Sequence, residues 1–308
     1  MEVLTEVDRG RIEALRGRDE FFWLDLAPPT PADLDALHPL LGIHPLAVED
    51  TREFHQRPKL DRYDDTLLLV FYSARVVDGT AKPVEVHLHI AGDFVVTARR
   101  EPGGPLSEMH DLGGPHSEQY VVYRVLDLLT DALFPVIDHF EARIDALEER
   151  VLSDPDERQL AVIYRLKQDV QAILRRLVTQ RDLFGMVSEA IMELPGLTGS
   201  REHWRDIGDH LSQVTGELYR QTDDLGALTS TYFNANANRL NRLATRLTVL
   251  ASFFLIWSFV SSFFGQNFGW LVDQIDTMKA FLIWTTIGLV IPSVGLAIYF
   301  WRRRREWL

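Results

Sequence analysis

The stretch SSFFGQNFGW, residues 261–270, ends a long apolar run and then places a glycine, two amides and several aromatic rings around one turn. Taken alone it reads as a helix terminus, with Gly265 as C-cap and Asn267 tolerating the turn. The sequence on either side makes it more than that. Upstream, Leu247–Phe264 (LTVLASFFLIWSFVSSFF) is eighteen residues without a charge, and downstream, residues 281–301 (FLIWTTIGLVIPSVGLAIYFW) are again uncharged. A hydrocarbon core of roughly 30 Å needs about 20 helical residues, so each run is long enough to span a membrane.

The flanking charges predict the orientation. Arg239, Arg242 and Arg246 precede the first run and Arg302–Arg305 follow the second, whereas the connection carries only Lys279 against Asp273 and Asp276. The positive-inside rule puts both termini in the cytoplasm and the short connection outside. Trp270, Trp284 and Trp301 fall near span ends, where an indole suits the interface. The GQNF turn is thereby placed at the outer mouth of a two-helix hairpin.

Composition narrows the rest. The 308 residues carry a formal net charge of −13 and no cysteine. An acidic chain lacks the basic stripe of a nucleic-acid surface, and disulfides, thiolate metal sites and cysteine nucleophiles are excluded. The N-terminus lacks the basic-then-apolar build of a signal peptide, so the bulk of the chain is expected in the cytoplasm. Mean hydropathy near −0.07 conceals an apolar C-terminal end.

Before the hairpin, FFWLDL (21–26), TLLLVFYSA (66–74), VEVHLHI (84–90) and DFVVTAR (93–99) have strand composition. Thr30 and Pro31 read as N-cap and first residue of a helix, and residues 101–118 as a turn-rich linker. Residues 117–152 read as one amphipathic helix kinked at Pro135, and residues 153–156 cap a second, with an apolar stripe at Leu160, Ile163, Leu166, Val170, Ile173 and Leu177. A third helix begins near Ser200 and meets no strong breaker before Gly265; unbroken, its 65 or so residues extend on the order of 100 Å. A stalk of that length, with Asn234, Asn236, Asn238 and Asn241 near its membrane end, implies bundling with copies of itself.

The sequence therefore divides into an α/β domain (1–118), long helices (119–199), a stalk continuing into the first span (200–264), an external loop with the GQN turn (265–280), a second span (281–301) and a basic tail (302–308). The fold class is an α+β domain followed by a long helical stalk and two transmembrane helices.

In this order of features the chain resembles the CorA family of divalent metal-ion transporters over nearly its whole length. FFGQNF occupies the place of the family's glycine-methionine-asparagine signature, RRRREWL resembles its basic C-terminal end, HPLAVEDTREFHQRPKLDRYDDTLLLVFY (44–72) its N-domain, and WRDIGDH (204–210) its stalk. The departure is Gln266, where magnesium-transporting members usually carry methionine; a zinc-transporting branch, ZntB, has another apolar residue there. The resemblance implies a funnel-shaped homopentamer in the cell membrane, with Mg²⁺ as transported and regulatory ion and Zn²⁺ or Co²⁺ as alternatives. No enzyme motif is present: the PGGP and GGPH turns have no Gly-Lys-Ser/Thr element after them.

The resemblance also assigns roles. Gly265, Gln266 and Asn267 become the selectivity filter, with Asn267 forming a ring of carboxamides that accept hydrogen bonds from the water of a hydrated ion. That suits Mg²⁺, which dehydrates reluctantly. Gln266 either adds a second amide or turns into packing, the latter being expected from the apolar residue it replaces. The first span lines the pore through Asn241, Ala244, Thr248, Ala251, Leu255, Ser258 and Ser262, with Leu255 as a dewetting constriction. Small residues also pack membrane helices against each other, so the stripe has two readings. Asp273 and Asp276 either concentrate cations at the mouth or are solvated loop acids.

Regulation in the family uses a cation bridging acidic residues of neighbouring subunits. Asp206 matches the stalk half, but Ser73, Ala74 and Arg75 follow VFY where its partner is expected, leaving Asp78 as the nearest carboxylate downstream. Asp209 and His210 either join Asp206 or form a solvated helix face. His87 and His89 alternate on one strand face at a spacing that can bind zinc, but with no third ligand in sight they read as ordinary strand surface. Three readings of function stand at this point: a Mg²⁺ channel driven by the membrane potential, a Zn²⁺ or other transition-metal transporter with possible proton coupling, and a non-conducting two-span sensor or scaffold.

Overall fold

The computed structural model describes residues 2–111, 118–194, 201–266 and 269–307. They form two compact units, Met1–Thr229 and Ser230–Leu308.

The first unit is built on a six-stranded mixed sheet of order β1-β2-β6-β5-β4-β3. Its strands are β1 (Glu2–Leu4), β2 (Phe22–Leu26), β3 (Lys59–Tyr63), β4 (Thr66–Val77), β5 (Thr80–Ile90) and β6 (Phe94–Arg99). β1, β2 and β6 run parallel, and β6, β5, β4 and β3 antiparallel. The β4–β5 hairpin turns at Asp78 and Gly79, both with positive φ, and pairs residues from Val77↔Thr80 to Leu67↔Ile90. Eight consecutive residues of β4 are buried. A strand covered on both faces loses the alternation that marks a half-solvated one and reads as a continuous apolar run.

Three helices precede β3: α1 (Arg9–Arg16), followed in sequence by β2, then α2 (Pro31–Leu41) and α3 (Pro45–Glu53). The expected cap of α2 is present as a full capping box, Thr30 accepting from the Asp33 amide and Asp33 accepting from that of Thr30. After β6 come α4 (Pro105–Glu108), a 3₁₀ turn (Met109–Asp111), α5 (Glu118–Asp131), α6 (Phe134–Ser153) and α7 (Glu157–Met192). The helix expected over 117–152 is two helices. Pro135 lies in the first turn of α6, where its missing N–H leaves no bond unmade, so it starts a helix rather than kinking one. α7 has the capping box Asp156/Gln159, and its stripe is buried from Ile163 to Leu177, with Leu160 half-buried.

α8 (Arg201–Phe264) is one helix of 64 residues. In the first unit it buries Trp204, Ile207, Leu211, Val214, Leu218 and Leu225, at helical spacing. Gly208 lies beside the Phe184 ring of α7, 3.5 Å from where a Cβ would stand, an ordinary contact distance. Residues 119–194, which the sequence sets apart as helical, share the compact unit of the sheet.

The second unit holds the remainder of α8, then α9 (Gly269–Gln274), α10 (Met278–Thr285), a π-turn (Thr286–Val290) and α11 (Ile291–Trp307). The π-turn has a local cause: Pro292 has no N–H for residue 288 and its ring crowds that carbonyl, and one widened turn just before it relieves both.

Candidate functional sites

In the hairpin unit, α8 and Met278–Arg302 each contain an uncharged apolar window of membrane-spanning length, with no residue of either window buried by the chain itself. The two spans meet where Gly288 lies against Val260 and Phe264, 3.5 and 3.6 Å from a Cβ placed there. Trp257 Nε1–H donates to Ser293 Oγ at 3.1 Å, joining the spans by a hydrogen bond in an apolar setting. On α8 the half-buried positions from 245 to 264 are Thr245, Val249, Ser252, Phe253, Ile256, Val260 and Phe264, one helical face. Asn241, Ala244, Thr248, Ala251, Leu255, Ser258 and Ser262 are all exposed. At 100° per residue their stripe lies on the side of α8 away from the second span. Leu255 also borders an apolar cleft of ≈ 470 Å³ between the spans.

After α8 the Gly265 N–H donates to Ser261 C=O at 2.9 Å and the Gln266 N–H to Phe263 C=O at 3.3 Å. Gly265 does not have the positive φ of a left-handed C-cap; it continues the helical path. Gln266 is exposed in the single chain. Asn267, the expected centre of the filter, lies outside the described residues, as does Phe268. Asp273 and Asp276 are both exposed.

A second site lies where α5 meets α8. Ligand atoms of Asp127, Asp131 and His210 all lie within 4.8 Å of one another, which suits a single ion. His210 Nδ1 is 3.4 Å from Asp131 Oδ1, and its Nε2 is 3.9 Å from Asp206 Oδ1. Asp127 is the buried member; burial, reinforced by Asp131 and Asp206, raises its carboxyl above the ordinary range in spite of the ion pair with Arg124. Two carboxylates and an imidazole suit Mn²⁺, Co²⁺ or Zn²⁺ as well as Mg²⁺.

Of the residues the sequence singled out, His210 is in the cluster and Asp206 lies beside it but outside it; Asp127 and Asp131, which one helical turn on α5 brings to the same face, were not singled out. Asp209 is exposed and outside the cluster. Asp78 is in the β4–β5 turn and also outside it. Ser73, at the position where the family pattern implies a carboxylate, is buried and donates to Leu129 C=O of α5 at 2.7 Å.

His87 and His89 correct the expectation of strand surface: they are buried. They share the face of β5 that meets α3. Thr51 Oγ1 lies 3.0 Å from His89 Nε2 and 3.1 Å from His87 Nδ1, and donates to Ala47 C=O. Burial, with His87 alongside, depresses the His89 pKa to about 3, so that ring is neutral. His87 Nε2 is 2.8 Å from Glu85 Oε1. The pair anchors a core polar network rather than a zinc site.

The profile of the family described as CorA-like Mg²⁺ transporter protein matches residues 18–305 of this chain. The chain belongs to the CorA family. It is 22% identical to the cobalt/magnesium transport protein CorA of Thermotoga maritima, over 92% of this chain and 85% of that protein. It is 23% identical to the zinc transport protein ZntB of Yersinia pseudotuberculosis, over 96% and 91%. Its fold matches the complete structure of the CorA magnesium transporter from Methanocaldococcus jannaschii with a TM-score of 0.77, covering 93% and 91% of the two chains at 16% identity. As a member of this family the protein is a membrane transporter of divalent cations and not an enzyme. The α/β unit, long helix and paired spans are the CorA architecture.

Proposed function

We propose that this CorA-family chain assembles as a homopentamer in the cell membrane, with both termini cytoplasmic, and carries Mg²⁺ inward down the membrane potential. The observation that carries the reading is the stripe from Asn241 to Ser262. Its small and hydroxyl side chains are exposed on the side of α8 that the second span leaves open, and copies arranged around that face turn it toward a common axis as a narrow wet path. A potential of 100 mV supplies about 4.6 kcal/mol per divalent ion, so no other energy source is needed. Asn267, flanked by Gly265 and Gln266, acts at the mouth by accepting hydrogen bonds from the ion's water, with Asp273 and Asp276 raising the local cation concentration. Asp206, with His210, Asp131 and Asp127 beside it, is the regulatory cation site.

A Zn²⁺ or Co²⁺ reading is favoured by one observation, the imidazole of His210 in that acidic cluster. Uptake into proteoliposomes separates the two. Mg²⁺ flux indifferent to a pH gradient, and lost in Asn267→Ala, is the expected result. Zn²⁺ flux that follows the pH gradient moves the protein to a proton-coupled mechanism. No flux of either ion from folded protein overturns the transport reading in favour of a sensor or scaffold.

A further inference from the structure

A cleft of ≈ 620 Å³ in the first unit opens between the α3–β3 connection, the start of β5 and the middle of α7. Four arginines line it: Arg57, Arg100, Arg175 and Arg176. In a chain of net charge −13 this is an unusual concentration of positive charge, and it is not neutralised locally. Among the described residues no carboxylate forms an ion pair with any of the four. The two glutamates of the cleft are already engaged. Glu85 accepts from the His55 and Gln56 amides at 2.8 and 2.9 Å and meets His87, while Glu101 pairs with Arg75.

The arginines fall into two kinds. Arg100 and Arg176 are held in place. Arg100 donates to Glu53 C=O at 2.6 Å, lies 3.1 Å from His55 Nε2 and covers the Phe54 ring at 4.9 Å; Arg176 donates to Ala172 C=O at 2.7 Å and stands over the Tyr72 ring at 5.4 Å. Arg57 and Arg175 are exposed and free to close on a ligand. The loop that carries Arg57 is built at a cost. Phe54 and His55 have consecutive positive φ values of 55° and 59°, a region that non-glycine residues rarely occupy and that persists only where surrounding contacts impose it. Here the Glu85 carboxylate and Arg100 impose it. Pro58, Pro83 and Val84 form an apolar part of the wall, beside Gln56, Tyr72 and Thr179.

We propose that this cleft binds a nucleoside polyphosphate. Planar guanidinium forks match phosphate oxygens two at a time, four arginines outweigh the Glu85 carboxylate in the same lining and favour a ligand with several negative charges, and Pro58, Pro83 and Val84 accommodate a base. The volume lies in the range of small-molecule sites. None of the residues lining the cleft is among those proposed for the pore, so its test does not depend on the ion carried.

The test is calorimetric titration of the full-length, detergent-purified protein with ATP in the absence of divalent cations. Pyrophosphate, adenosine and phosphatidylglycerol micelles serve as comparison ligands, and Arg57→Ala, Arg175→Ala and the exposed control Arg158→Ala as variants. The expected result is saturable binding of ATP, weaker binding of pyrophosphate and none of adenosine. Each cleft substitution should weaken ATP about tenfold or more, with the control unchanged. Absence of saturable binding overturns the proposal, as does equal weakening by the control. Displacement of ATP by phosphatidylglycerol but not by pyrophosphate assigns the cleft to a lipid headgroup instead. A change of oligomeric state in the two cleft variants, without ATP binding in the parent, assigns the arginines to an interface between copies.

Discussion

Replacing Gln180 with leucine tests how α7 is fastened to the sheet. Gln180 is buried, and its amide treats one residue of β4 as a neighbouring strand would: Oε1 accepts the Tyr72 N–H at 2.5 Å and Nε2–H donates to the Tyr72 C=O at 3.0 Å. The reason lies in the register. β3 pairs with β4 only from Tyr63↔Thr66 to Lys59↔Val70, so beyond Val70 the outer edge of β4 has no strand to bond. Leucine has nearly the volume of glutamine but leaves one amide and one carbonyl unpaired in the interior. At about 1–3 kcal/mol for each group, the loss is about 2–6 kcal/mol. For a unit of this size the midpoint of thermal unfolding should fall by roughly 5–20 °C. The assay is thermal unfolding of the purified protein, with hydrogen exchange across residues 66–77 as the local readout and Thr179→Ala as the control. A loss below about 1 kcal/mol, with exchange at Tyr72 unchanged, refutes the reasoning, because it means those groups find other partners.

His89 makes stability depend on pH. It is held neutral with a pKa of about 3 against an ordinary 6.5, so below pH 6.5 the unfolded chain takes up a proton that the folded one refuses. Stability falls as pH drops from 6.5 toward 3, by up to about 1.4 kcal/mol per pH unit; unfolding midpoints at pH 7, 6 and 5 should show a slope that His89→Leu removes, and equal slopes count against it. The α5–α8 cluster predicts that Co²⁺ at about a hundredfold excess over its Kd stabilises the protein by about 2.7 kcal/mol. The gain should vanish in Asp131→Asn and His210→Ala and survive in Asp209→Asn; a gain retained by either cluster variant removes the site. Because Asp127 must be ionised to bind a cation and burial holds its carboxyl high, affinity should rise with pH.

Much of the architecture was legible because its signals are long. Two uncharged runs of 18 and 21 residues, a breaker-free stretch ending at Gly265 and four strand-like segments each repeat a periodicity many times. β1 and β3 escaped notice for opposite reasons: Glu2–Leu4 is too short to carry a pattern, and Lys59–Tyr63 is an edge strand whose Lys59, Asp61 and Arg62 mask its alternation. Pro135 is visible in the sequence, but a proline within a helix and a proline opening one look the same without the preceding turn.

By itself the sequence determined that this chain carries two uncharged runs long and apolar enough to cross a membrane, that a long helix leads into the first, and that the residues Gly-Gln-Asn follow it, because hydropathy and helical period are properties of contiguous residues. Tertiary structure decided which side of α8 faces the second span, and therefore where the Asn241–Ser262 stripe lies. It also decided that His87 and His89 are interior, that Asp127 and Asp131 of α5 meet His210 of α8, and that four arginines from three separate segments line one cleft. Those arrangements join residues tens of positions apart, and only packing between elements sets their distance.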